Sequence, residues 1–194
     1  GNIIIMDSAS PARVGSINSD STARALTLKA GSGKSIQIQN GSSYGAGLGT
    51  TTSLSTIKIN SDIVISADTE FKTSGTSGTT FAGNGNSISG SYILSFTGNF
   101  TNSDNWTYDN GLTLNFIETN NQTITTNSTS TYPTIIENKD SGTLIISGNC
   151  TINNFELTKG TTTTFTGSPR ITSFTDTASS GNISFNNGGT ITAT

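Results

Sequence analysis

The sequence predicts an all-β chain wound into a coil of stacked strands, a β-solenoid, and three observations predict it. First, residues 142–194 align with themselves in three lines. Ile146, Phe165 and Phe185 share one position, Gly148, Gly167 and Asn187 the position two places on, and Ile152, Ile171 and Ile191 a third. The period of about 19–20 residues falls where internal repeats signal solenoids. Second, apolar residues alternate over short runs such as Leu144 and Ile146, as strands with one buried face require. Third, only 30% of the 194 residues are hydrophobic and only 11% are charged. A disordered chain of such low hydrophobicity usually carries more charge. A solenoid has a narrow core, so few apolar residues per turn suffice, and its outer face can be Ser- and Thr-rich.

Taken in order, residues 1–35 are the least regular and predict an irregular first turn or cap, which a solenoid needs to cover its open edge. Within them, 2–6 reads as a short strand and 7–20 as loop, with Pro11 and Gly15. Leu26 and Leu28 alternate as a strand does. Gly31, Gly33, Lys34 and Ser35 resemble the end of a phosphate-binding loop, but Leu28 stands where that motif needs its first Gly, so the reading is a turn. From residue 36 to 194 the coil is expected to run throughout. Ile36 and Ile38 lead into a corner at Asn40, and Ile57, Ile59, Ile63 and Ile65 flank a corner at Ser61. Phe81 with Gly83 and Phe96 with Gly98 repeat an aromatic-then-Gly corner, since Gly enters left-handed backbone most cheaply. Phe96 and Phe116 lie one period apart. After Phe116 the corner holds Glu118 rather than Gly, and Ile124 arrives late, which predicts a lengthened turn. Roughly nine or ten rungs follow, a rod of about 45 Å at the inter-strand spacing. The repeat fails at 44–53, 103–110 and 127–133, the places expected to carry any binding.

The matched lines, together with Gly111-Leu112-Thr113-Leu114-Asn115-Phe116 and Gly142-Thr143-Leu144-Ile145-Ile146-Ser147-Gly148-Asn149, resemble right-handed parallel β-helices of secreted bacterial cell-surface proteins, adhesins and autotransporter passengers. The resemblance covers about 92–194 and extends plausibly from 36. It implies the right-handed form, an extracellular or cell-surface location, and a host or cell-surface ligand or glycan as partner. It carries no catalytic motif and transfers no functional residue. The last repeat line ends at Thr194 without a cap, which predicts a piece of a longer protein.

Several chemistries are disfavoured. The net charge of −3 and the lack of a basic cluster argue against nucleic acid. The sequence has no His, the commonest general base and metal ligand, and a single Cys, Cys150, read as a buried thiol. No stretch has the length of a membrane helix, so no membrane insertion is expected. No catalytic residue, metal site or cofactor is predicted. The candidate ligand-binding residues are Trp106, Tyr108, Asp104 and Asp109. Trp106 and Tyr108 share a face of an extended strand and would form a sugar platform if exposed; packing in the core is the bland reading. Asp104 and Asp109, like Asp62, Asp68 and Glu70, read first as turn acids and second as glycosidase carboxyls, and Asn102, Asp104, Asn105, Asp109 and Asn110 could supply oxygens to Ca²⁺, although their spacing matches no loop motif. A flat Thr array would suit ice binding, but Arg170 interrupts the line through Thr151 and Thr190. The leading expectation is a non-enzymatic structural or adhesive module. The alternatives are a carbohydrate-binding or polysaccharide-degrading β-helix and an ice-binding solenoid.

Overall fold

The computed structural model describes residues 12–14, 16–18, 25–30, 35–38, 46–186 and 190–191. The chain passes in order through β1 (Ala12–Val14), β2 (Ser16–Ile17), β3 (Ala25–Leu28), β4 (Ser35–Ile38), β5 (Ala46–Leu48) and β6 (Thr56–Ile59). It continues through β7 (Asp62–Ile65), β8 (Thr69–Phe71), β9 (Gly78–Phe81), β10 (Ser87–Ser89), β11 (Ile93–Phe96) and β12 (Asn99–Asn102). Next come β13 (Thr107–Tyr108), β14 (Thr113–Phe116), β15 (Gln122–Thr125), β16 (Thr131–Glu137) and β17 (Thr143–Ser147). The last are β18 (Thr151–Leu157), β19 (Thr162–Phe165), β20 (Arg170–Asp176), β21 (Asn182–Phe185) and β22 (Thr190–Ile191).

These strands form three parallel sheets. The first runs β1-β4-β7-β10-β13, the second β2-β5-β8-β11-β14-β16-β18-β20-β22, and the third β3-β6-β9-β12-β15-β17-β19-β21. The chain is therefore a parallel β-solenoid visiting the sheets in rotation. The expected lines are real registers: Ile146 pairs with Phe165 and Phe165 with Phe185, while Ile152 pairs with Ile171 and Ile171 with Ile191. Phe96 pairs with Phe116. Residues of the stretch read as a cap also join the coil, since Ala25–Leu28 pairs in register with Thr56–Ile59.

The eight strands of the third sheet span seven intervals, so the coil has about seven turns rather than nine or ten. Early turns are longer than the 19–20-residue period: Ala25 pairs with Thr56, 31 residues on, whereas Thr143 pairs with Thr162, 19 on. The aromatic-then-Gly corners were also counted across two sheets, because Phe81 lies in the third and Phe96 in the second.

Inward residues stack on their like. In the second sheet Leu48, Phe71, Phe96 and Phe116 form one line. Phe96 meets Phe71, Phe100 and Phe116 at ring distances of 5.8, 5.2 and 5.3 Å. All four are essentially excluded from solvent. Burying each such ring contributes about 2–3 kcal/mol.

Corners use two devices. Gly148 has φ +105°, as the left-handed corner requires, and Glu118 adopts φ +102° at the equivalent break after Phe116. Gly167 is Gly for another reason: a Cβ there would strike the Gly148 carbonyl. The second device is a side-chain staple between turns. Asp62 Oδ1 accepts the Ser87 N–H at 2.7 Å, Asp68 Oδ1 that of Ile93 at 2.9 Å, and Asn99 Oδ1 that of Thr123 at 2.8 Å. Asn121 accepts from Thr143 at 2.9 Å and Asn149 from Ser168 at 2.8 Å. Each satisfies a backbone donor in the first two residues of a strand or just before it. The strand expected at 2–6, the turn at 31–34, the corners at Asn40 and Asn187, and Tyr44 and Thr192 lie outside the described residues.

Candidate functional site

The first sheet ends at β13. Above it the chain makes one longer strand in place of two short ones. β16, β18 and β20 each have seven residues, and their pairing skips Pro133, Asn153 and Thr172. No ladder joins β13 to β16. The contact between them is made instead by rings: Tyr108 and Tyr132 lie 4.9 Å apart and tilted by 39°. At this seam a depression of about 190 Å³ is lined by Asn105, Trp106, Thr107, Tyr108, Asn110, Thr129 and Thr131. It lies between two of the three segments where the repeat fails. It is smaller than the roughly 300–1,000 Å³ of a site for a drug-sized ligand.

The four predicted residues are placed as follows. Trp106 is 1% exposed, with its ring edge-on to Phe81 at 5.1 Å, so its face packs in the core. Its indole nitrogen is buried without a hydrogen-bond partner. Tyr108 points inward beneath Tyr132, and its hydroxyl is buried with no partner of good geometry. Burial, and then the neighbouring Tyr132, raise its pKa well above the ordinary phenol range. Asp104 Oδ2 accepts the Gly83 N–H at 2.6 Å. Asp109 accepts the Gly90 N–H through Oδ2 at 3.3 Å and that of Gly111 through Oδ1 at 3.2 Å. Both acids thus staple adjacent backbone. Trp106 and Tyr108 line the depression; Asp104 and Asp109 are not among its lining residues.

Buried polar residues whose roles sequence reasoning did not reach lie beneath the seam. Asn102, 1% exposed, donates from Nδ2 to Ser130 Oγ and to the Tyr132 hydroxyl, both at 3.0 Å. Burial pushes the Tyr132 phenol up to about 12 and the Cys150 thiol up to about 11. One turn further on, Lys139 is wholly buried, and its ammonium donates to the Glu118 carbonyl at 3.0 Å, the Asn120 carbonyl at 2.6 Å and Gln122 Oε1 at 2.8 Å. Burial lowers its pKa, opposed by Glu137 and Glu118. Gln122 in turn donates to the Phe96 and Gly98 carbonyls, both at 2.9 Å. Glu137 replaces an aromatic in the inward line above Phe116 and accepts from the Lys139 N–H at 3.1 Å and the Thr161 hydroxyl. Its other oxygen has no partner. A signal existed, because Ile135 and Glu137 alternate like any inward pair.

Among the described residues no three His, Cys, Asp or Glu side chains come together as metal ligands, and no helix is long and apolar enough to cross a membrane. No family model matches the chain, and neither a curated protein nor a solved structure matches it.

Proposed function

We propose that this solenoid is a non-enzymatic structural or adhesive module of a bacterial surface or secreted protein, right-handed by the general crossover rule. The observation that supports it is the use made of the carboxylates. Asp62, Asp68, Asp104 and Asp109 each accept a backbone N–H from another turn of the coil. A glycosidase instead needs two carboxyls free to face a sugar. The acids that best fitted catalysis are committed to holding the coil together.

A second reading, carbohydrate binding, is favoured by the depression at the seam, whose lining is uncharged and rich in Asn and Thr. A polysaccharide-cleavage screen run beside a glycan array tests both. The module reading expects no cleavage, with any array signal lost in Thr129→Trp, which fills the depression. Cleavage abolished by Asp104→Ala or Asp62→Ala would overturn it.

A further inference from the structure

Lys139 is wholly buried, and among the described residues no carboxylate lies within ion-pair distance of its ammonium; the pair formed by Lys159 and Asp140 is at the surface. Its Nζ meets three neutral oxygens instead, one of them Gln122 Oε1 at 2.8 Å. A buried cation without an anion is costly. Two neutral forms are open to a lysine, the free amine and an amide, and Gln122 offers the second. Gln122 Nε2 donates to the Phe96 and Gly98 carbonyls, both at 2.9 Å, which fixes the carboxamide plane and aims Oε1 at Nζ. The Oε1 contact places Gln122 Cδ within about 4 Å of Nζ. Reacting atoms about 3–3.5 Å apart are poised for attack, so a small approach suffices. A proton carrier is also at hand. Glu137 Oε1 accepts from the Lys139 N–H and the Thr161 hydroxyl, while Oε2 is buried with no partner. Gln122, Glu137 and Lys139 are all shut off from solvent, so water does not compete for the carboxamide.

We propose that Lys139 and Gln122 join through an intramolecular amide bond between Nζ and Cδ, with release of ammonia. The ammonium first gives a proton to Glu137. The Nζ lone pair then attacks Cδ, and the carbonyl π pair moves onto Oε1. When that pair returns, the Cδ–Nε2 bond breaks. In all, Nζ loses two protons and Nε2 gains two, so the nitrogen leaves as ammonium and Glu137 ends as it began. Burial lowers the Lys139 pKa, which favours the free amine that attacks. The new bond closes a loop between residues 17 apart and ties β15 of the third sheet to the end of β16 of the second. A pull on the two ends of the chain then passes through the bond and leaves 122–139 unextended. The cross-link rests on the buried site alone and does not depend on the structural or adhesive role.

The test is the mass of the purified whole chain, shown to be folded by its β-sheet circular dichroism, incubated at neutral pH and then denatured for mass spectrometry. Wild type is expected to be lighter than its sequence by one ammonia, and digestion to give a branched peptide joining Gln122 to Lys139. Gln122→Met and Lys139→Met are each expected to keep the full sequence mass. Glu137→Gln should form the link slower by on the order of a hundredfold. Folded wild type at full sequence mass overturns the proposal. So does an ammonia loss that persists in both Met variants, or one that maps to an Asn–Gly pair such as Asn84-Gly85 or Asn110-Gly111, where ring closure to a succinimide gives the same mass change. A link formed at the wild-type rate in Glu137→Gln overturns the proton route.

Discussion

The coil from 142 to 186 and the seam from 102 to 139 are built from the same repeat, and they solve different problems. In the upper region the turns are nearly equal and one inward line is wholly apolar: Ile146, Phe165 and Phe185 stack, the two Phe rings 4.9 Å apart and almost parallel. At the seam the first sheet stops, one long strand takes the place of two short ones, and the interior turns polar, with Asn102, Gln122, Ser130, Glu137 and Lys139 all buried. The difference teaches that changing the number of strands per turn leaves backbone groups without ladder partners. Buried side chains then take over that hydrogen bonding, because an unpaired buried polar group costs about as much as a lost hydrogen bond.

The largest expected effect lies in the regular region. Phe165→Ala should destabilise the chain by about 3–5 kcal/mol in denaturant melts, through lost burial and an unfilled cavity. A loss below about 1 kcal/mol would break the contrast, because the upper coil would then not rest on its stack. Next comes the seam. Lys139→Met keeps the volume but strips three acceptors of their donor, and about 3 kcal/mol should be lost. An unchanged melt would mean that the polar interior is incidental.

The third effect separates the regions by pH. The Cys150 thiol and the Tyr132 phenol are both held protonated by burial, with pKa values pushed up to about 11 and about 12. The unfolded chain ionises first, so the stability present below about pH 9 is lost as pH rises toward about 11, by about 2–3 kcal/mol for Cys150. Lys139, with its lowered pKa, pulls the other way, so the comparison is made with Cys150→Ala, whose alkaline loss should be smaller by that amount. Equal pH profiles for the two proteins would contradict the burial of the thiol. The smallest effect is at a staple. Asp104→Ala should cost about 1 kcal/mol by freeing the Gly83 N–H, measured by thermal melting.

Much of the fold was legible because solenoid cores repeat. Period-2 alternation and corner Gly placed Ile146, Phe165 and Phe185 in register without any structure. Turn number was overestimated because a corner looks alike in sequence whichever sheet it follows, as Phe81 and Phe96 show. The seam was legible only as irregularity at 103–110 and 127–133. That these segments meet across a depression is a matter of register, which loops of unequal length conceal. Asp104 and Asp109 illustrate the limit most clearly: Asp at a turn is expected, but its acceptance of an N–H some twenty residues earlier is invisible until the turns are stacked.

The central claim is that one register runs unbroken past the seam while the first sheet stops there. Cysteines placed at Thr125 and Ser147, which pair directly across that turn, test it in a Cys150→Ala background. Neighbouring parallel strands bring their Cα atoms to about 4.8 Å, within disulfide reach, whereas a slip of two residues takes them beyond it. The account predicts that Thr125→Cys with Ser147→Cys closes under mild oxidation and that Thr123→Cys with Ser147→Cys does not. Closure of the second pair in preference to the first would contradict it.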